Sequence, residues 1–468
     1  MKNQVNVSTR PFGIRDKVGY LFGDLGNDLM FNFASSYILV FYTKVMGVNA
    51  ALVGAMLLCS KLLDAFTDIT MGRIVDTSKA AKDGRFRPWI RRMAGPVAIA
   101  SFLMYQSGLA GAPMAVKIVL MWVTYILWGS VFYTSINIPY GSMAAALTED
   151  PKGRASLSTW RSMGGTFSGL FIGVVTPIVI YTTDANGNQV LSGPRLTMIA
   201  GIFSVAAIIC YAVCYLNTTE RVKDVPNISK VSLGQTFKGI FMNKALLILI
   251  LCSILLMLCS NVTNGLSQYV YIDYFNNKGA LSLMTFVGVG VSILMAPFIA
   301  KITAKYGKKE VSSILFFIAG VSQIILCLLR VTNVWVYFSF AIINTFAFGF
   351  WTMTVWAHVS DVIDYQQILT HTREDGIVYA SYSFSRKVGQ AIGSGLSGFV
   401  LGMIAFDTTP GVVQTAAVKS SLYTIATSIP AAVYIIVALI LMFVYPLTKN
   451  IINQNVEELK KRREQGIQ

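Results

Sequence analysis

The sequence predicts an all-α membrane protein: twelve transmembrane helices arranged as two six-helix halves around a central cavity. Three observations lead there. Of 468 residues, 54% are hydrophobic and only 13% charged, about half the ~25% of a globular domain, and the mean hydropathy is +0.60. Apolar runs of roughly 20 residues, long enough to cross a ~30 Å hydrocarbon core at ~1.5 Å per residue, alternate with short polar loops. The basic residues gather on one side of that alternation. A disordered chain, a fibrous chain and a cytosolic enzyme are excluded by the same numbers.

The elements follow in chain order. Residues 1–17 are polar, hold Lys2, Arg10, Arg15 and Lys17, and lack the apolar core and small-residue cleavage site of a signal peptide. They read as a cytoplasmic N-terminus. Residues 18–216 form an N-terminal six-helix bundle, with spans near 18–43, 50–72, 93–111, 117–137, 160–182 and 196–216. A polar, basic connecting loop over 217–243 contains Pro226. Residues 244–446 form the second bundle, with spans near 244–271, 281–300, 311–329, 334–357, 377–405 and 421–446. Residues 447–468 are a cytoplasmic tail. In the fourth span, Pro139 and Gly141 are expected to interrupt the helix.

Placing the N-terminus inside puts 28 of the 38 Lys and Arg on the inner side, six in outer loops and four at membrane depth. That asymmetry orients the chain with both termini cytoplasmic. It also makes the net charge of +16 a matter of topology and not of nucleic-acid binding. The turn Gly84-Arg85-Phe86-Arg87-Pro88 after the second span matches Lys305-Tyr306-Gly307-Lys308-Lys309 after the eighth. Equivalent turns in two six-span halves point to internal duplication, the architecture of major facilitator transporters, in which the substrate site lies between the halves.

Charges at membrane depth carry the functional information, because an Asp at a helix centre costs roughly 2.5–3.5 kcal/mol. Asp64 and Asp68 are four apart and share one face of the second span with Lys61. Two close carboxylates resist joint ionisation unless a cation joins them, so this pair suits one proton or one monovalent ion, with Thr67 adding a hydroxyl. The alternative is that Lys61 neutralises one acid in a structural contact. Asp24 and Asp28 form a second i, i+4 pair beside Gly23, Gly26, Asn27 and Asn32, a pattern suited to a polar cavity wall that accepts sugar hydroxyls. Arg161, Arg386 and Lys387 are the cations at this depth; they either balance the acids or grip an anionic substrate. Thr134 and Asn137 share a face of the fourth span. The six cysteines lie in apolar runs without metal-ligand spacing and read as small buried hydrophobes. Neither a Ser-His-Asp set nor a phosphate loop is present, so the chain is not expected to be an enzyme.

These motifs together resemble the glycoside–pentoside–hexuronide:cation symporters, the melibiose-carrier group of the major facilitator superfamily. The resemblance rests on Asp64-Ala-Phe-Thr67-Asp68 with Gly72-Arg73-Ile-Val-Asp76, Gly84-Arg85-Phe86-Arg87-Pro88, Asn137-Ile138-Pro139-Tyr140-Gly141 and Asp361-Val-Ile-Asp364-Tyr365, and covers nearly the whole chain. It implies a cation site at Asp64, Thr67, Asp68 and Thr134, which would hold a metal only if sodium is the coupling ion. It implies sugar contacts at Asp28, Arg161 and Lys387, with Asn137 in place of the family's fourth-helix carboxylate. Asp24 and Arg386 complete the substrate set. Within the group, Phe384-Ser385-Arg386-Lys387-Val388-Gly389-Gln390 is similar to bacterial glucuronide carriers, and Arg386 beside Lys387 would suit a hexuronide carboxylate.

The resemblance further implies an inner gate. Asp361, Asp364, Arg373, Glu374 and Asp375, placed in a cytoplasmic loop, would pair with Arg154 or with Arg85 and Arg87 of the other half. His358 and His371 receive no role. The expected activity is import of a glycoside, a glucuronide or relative, with H⁺ or Na⁺ by a monomeric carrier needing no cofactor. A carrier of a neutral glycoside or pentoside, such as a xyloside or galactoside, and an uncoupled facilitator or sensor remain as alternatives.

Overall fold

The computed structural model describes residues 10–78, 81, 83–222, 243–370 and 375–464. Most of the predicted connecting loop lies outside them, as do His371, Arg373 and Glu374. In chain order the long helices are α1 (Ile14–Lys44), α2 (Ala50–Thr77), α3 (Arg87–Leu103), α4 (Met114–Leu147), α5 (Lys152–Ile180) and α6 (Gly193–Asn217), then α7 (Lys244–Tyr274), α8 (Lys278–Tyr306), α9 (Lys308–Leu329), α10 (Val334–Leu369), α11 (Asp375–Met403) and α12 (Ala416–Val444). A short α13 (Lys449–Glu464) ends the chain. Among the described residues, nine of these are long and apolar enough to cross a membrane. The other three of the first twelve are α1, laden with Asp and basic residues, α3, only 17 residues long, and the Gly- and Ser-rich α11.

Packing repeats with a step of six helices. In the first half α1 packs on α5 and α6, α3 on α6, and α2 on α4; in the second α7 packs on α11 and α12, α9 on α12, and α8 on α10. The halves meet through the same pairing: α2 crosses α11, and α5 crosses α8. The α2–α11 crossing is made by glycine. A Cβ on Gly398 would overlap the Ala50 carbonyl and the backbone of Gly54, and one on Gly54 would lie 2.5 Å from the Gly395 carbonyl. Small residues at such a crossing let two backbones touch.

The two Gly-plus-basic turns are equivalent as expected. Gly84 and Gly307 both adopt positive φ, +118° and +93°. The Glu220 carboxylate accepts the backbone N–H groups of Arg85, Phe86 and Arg87 at 2.7–2.9 Å, an anion at a helix N-terminus.

Three boundaries depart from the sequence expectation. Helix α4 is not broken at Pro139 or Gly141 but runs through both to Leu147. Pro139 lacks only one N–H, and the irregularity lies earlier, in a π-helical stretch over Leu127–Tyr133. Helix α5 begins near Lys152 and not at 160, because Asp150 caps it through the N–H groups of Lys152 and Gly153. Helix α10 runs on to Leu369, so Asp361 and Asp364 are helical and not in a loop. Between α5 and α6, Tyr181–Thr183 and Gln189–Leu191 pair as an antiparallel hairpin, turned by Asn186-Gly187 with Gly187 at φ +82°.

Candidate substrate and cation site

The acids of α2 face α4. Ser130 Oγ donates to Asp64 Oδ1 at 2.6 Å, and Thr134 Oγ1 donates to Asp68 Oδ1 at 3.0 Å. The π-helical stretch carries Ser130 and leads directly into Thr134, and its Gly129 lies against the Asp64 carboxylate. π-Helical turns concentrate at functional sites. Ser130 escaped the sequence analysis, although its i, i+4 spacing to Thr134 was available as a signal. The Thr67 hydroxyl donates to the Asp64 backbone carbonyl at 3.2 Å.

Each acid has a basic neighbour. Lys387 Nζ reaches across from α11 to Asp68 Oδ2 at 2.5 Å. Lys61 Nζ stands 3.6 Å from Asp64 Oδ2 and 4.6 Å from the centre of the Phe31 ring. On α1, the buried Asp24 accepts from Arg161 Nε at 2.8 Å. The substrate-facing pair expected on α1 is therefore divided. Asp24 is held inside a helix contact, while Asp28 makes no hydrogen bond or ion pair among the described residues and lies against Gly165, where a Cβ would be 2.7 Å from its Oδ2. Asn137 is half-buried one turn beyond Thr134 and has no hydrogen bond among the described residues.

Arg386 and Lys387 do not act together. The guanidinium of Arg386 lies over the Trp356 ring, 5.8 Å from its centre, whereas Lys387 joins Asp68. Neighbouring residues on a helix point about 100° apart, so only one of the two can meet the acids. Arg386 and Lys387 therefore meet different partners, Trp356 and Asp68.

For one gate acid, Asp361, the partner differs from the one expected. Asp361 pairs with Lys308 of its own half at 2.5 Å. Arg154 Nε donates to the Thr148 carbonyl, Arg85 Nε to that of Val75, and Arg87 to those of Asp83 and Tyr215. Each of these partners lies in the same half as the residue it pairs with. His358 is fully buried, stacked on Trp351 at 5.4 Å, and neither ring nitrogen has a hydrogen-bond partner among the described residues.

Two adjoining cavities lie between the halves. One of about 340 Å³ is lined by Asn32, Lys61, Tyr125, Asn261, Asn264 and Ser394, among others. The other, of about 870 Å³, includes Gly165, Thr263, Tyr271, Gln323 and Asn344. They share Gly169, Asn264 and Thr285. Walls rich in amide and hydroxyl groups suit a polyhydroxylated ligand of small-molecule size.

The family model described as MFS/sugar transport protein matches residues 19–449. The chain is 30% identical over 464 residues to the uncharacterized symporter YjmB of Bacillus subtilis (strain 168), covering 98% of each chain. It is 29% identical to the glucuronide carrier protein homolog of Escherichia coli (strain K12), with 96% of each covered. It is 30% identical to a protein of the same organism proposed to import sulfoquinovose, with 98% of this chain and 96% of that one covered. Among solved structures, a bacterial homolog of the human lysosomal transporter Spinster, in an inward-facing and occupied conformation, has the same fold: TM-score 0.65 at 12% identity, over 94% of this chain and 97% of that one.

Proposed function

The chain belongs to the MFS/sugar transport family, and from that premise we propose that it imports an anionic glycoside, a glucuronide or close relative, together with H⁺ or Na⁺. It is a multi-pass membrane transporter and not an enzyme. The observation that carries the proposal is the pair Asp64 and Asp68, met by two hydroxyls of α4 and tied by Lys387 to the opposite half. Carboxylate and hydroxyl oxygens suit a proton or a hard monovalent cation.

In this mechanism the cation displaces an ammonium from the acids. That frees Lys387 from Asp68 and so loosens a contact between the halves. Because Lys61, beside Asp64, lines the smaller cavity, cation and sugar each raise the other's affinity. The halves then rock to expose the loaded site to the other side. The names of two relatives support an anionic sugar: one is a glucuronide carrier homolog and one is proposed to carry sulfoquinovose. The distribution of basic residues supports an inner membrane with both termini cytoplasmic.

The test is uptake into proteoliposomes of a labelled β-glucuronide under an imposed sodium gradient, an imposed proton gradient, and neither. Accumulation under one gradient alone identifies the ion. Asp68→Asn is expected to abolish accumulation while sugar counterflow continues; an Asp68→Asn protein that still concentrates sugar sinks the coupling scheme. A second reading, a neutral glycoside, is favoured by the unpaired Asp28 against the larger cavity, and a matched β-glucoside run in parallel decides between them.

A further inference from the structure

We propose that Lys61 is the anion anchor of the substrate site, its ammonium receiving the carboxylate or sulfonate of the glycoside. The inference rests on the anionic-substrate reading above and names the residue that would read the charge. Lys61 is the charged side chain among the described residues that line the two cavities. Of the other cations at this depth, Arg161 is held by Asp24 at 2.8 Å and Lys387 by Asp68 at 2.5 Å, and Arg386, over Trp356, lines neither cavity.

Lys61 is held differently. Its distance of 3.6 Å from Asp64 is beyond hydrogen-bond range, and the other oxygen of that carboxylate is already taken by Ser130. Phe31 lies beneath the ammonium at 4.6 Å, an interaction that keeps a positive charge in place without consuming its donors. Lys61 therefore faces the cavity with donors to spare. Asn32 and Asn261 line the same cavity and can bind neighbouring hydroxyls. Asp28 abuts Gly165, which lines the larger cavity, so the substrate's anionic end at Lys61 and its hydroxyl end toward Asp28 keep the two negative charges in separate parts of the site.

The same placement couples charge to charge. An anion that draws Lys61 away from Asp64 leaves that carboxylate with a hydroxyl donor and no cation, which strengthens its attraction for the coupling ion. A neutral sugar gives no such exchange.

The experiment measures equilibrium binding and counterflow of phenyl β-glucuronide and phenyl β-glucoside for wild type, Lys61→Met, Lys61→Gln and Lys61→Arg in lipid nanodiscs and proteoliposomes. A charge-assisted hydrogen bond of roughly 1.5–3 kcal/mol corresponds to about 10- to 150-fold in affinity. Glucuronide affinity is expected to fall by that factor in the Met and Gln variants, with glucoside affinity within about threefold of wild type, and Arg is expected to restore the preference. A role confined to packing would lower both sugars together, and that result overturns the assignment. If wild type prefers the glucuronide and the Met and Gln variants keep the preference, Lys61 is not the anchor although the substrate reading stands. If wild type prefers the glucoside or binds neither sugar, the anionic-substrate reading fails and takes the anchor with it.

Discussion

The two ends of the bundle are held by opposite logics. At the end where α1 finishes, the contacts run between the halves. Lys44 Nζ donates to both carboxylate oxygens of Asp273 at 2.6–2.7 Å, and the hydroxyls of Thr43 and Tyr269 meet at 2.7 Å. Lys278 donates to the Tyr181 carbonyl, and Asn276 binds Gln189 and Gly187 of the hairpin. At the end where α1 begins, ion pairs among the described residues close within each half. The fully buried Asp16 is gripped by Arg221 and Arg10, Asp83 by Arg91, and Asp361 by Lys308. The same chemistry thus zips one end shut across the halves and staples the other end into two separate bundles. Lys387–Asp68, between these ends, is the bridge nearest the site. The described state is one in which the cavity is sealed on the Lys44 side.

That contrast can be broken hardest at the glycine crossing. Gly398→Val would drive a branched side chain into the backbone of Ala50 and Gly54. Overpacking of this kind costs up to ~3 kcal/mol, which shifts a two-state equilibrium about 150-fold. Transport should be lost. A single cysteine at position 36, on the cavity wall, should react much faster with an impermeant maleimide applied from the Lys44 side. Unchanged labelling would mean that the glycines do not set the closed end.

The Lys44–Asp273 pair gives a smaller handle. Its side chains are 16% and 10% exposed, between a surface pair worth ~0–1 kcal/mol and a buried one whose disruption costs ~3–5. Lys44→Ala or Asp273→Asn should therefore favour opening by about 1–2 kcal/mol, some 5- to 30-fold in the same labelling assay. The charge-swapped double variant should recover part of the loss, and independent, additive effects would show that the two charges do not act as a pair.

The sequence made the scaffold legible and the partners only partly so. Hydropathy and helical spacing predict the long helices, nine of which among the described residues are apolar enough to span a membrane, and put Asp64 above Asp68 on one face, because both are local properties. Which of Arg386 and Lys387 meets the acids is decided by Asp68 and Trp356, residues 319 and 30 positions away, which no local pattern indicates. Lys44, read only as a loop charge for topology, finds Asp273 across the halves. Ser130 was hidden differently: the π turn, not the expected proline break, brings its hydroxyl to Asp64. The Lys308 partner of Asp361 follows from α10 running on as helix beside α9, where a loop was expected.

The stapled end offers the mildest test. At Asp83, burial pushes the carboxyl pKa up, but a hydrogen bond from the Tyr215 hydroxyl at 2.8 Å, with Arg91 and Arg87 nearby, outweighs it and holds the pKa below the ordinary carboxylate value. A depressed pKa stabilises the fold wherever the carboxylate is ionised, above its unfolded value of about 3.9, and that contribution disappears as pH falls through the lower folded value. The pair is largely solvent-facing on the Arg91 side, so Asp83→Asn should cost only ~0.2–1 kcal/mol at pH 7. Its melting temperature should converge on wild type only as pH falls through the lowered folded value, below the unfolded ~3.9. Because both partners lie in one half, labelling from the Lys44 side should not change; an effect there would show that the two ends are linked after all.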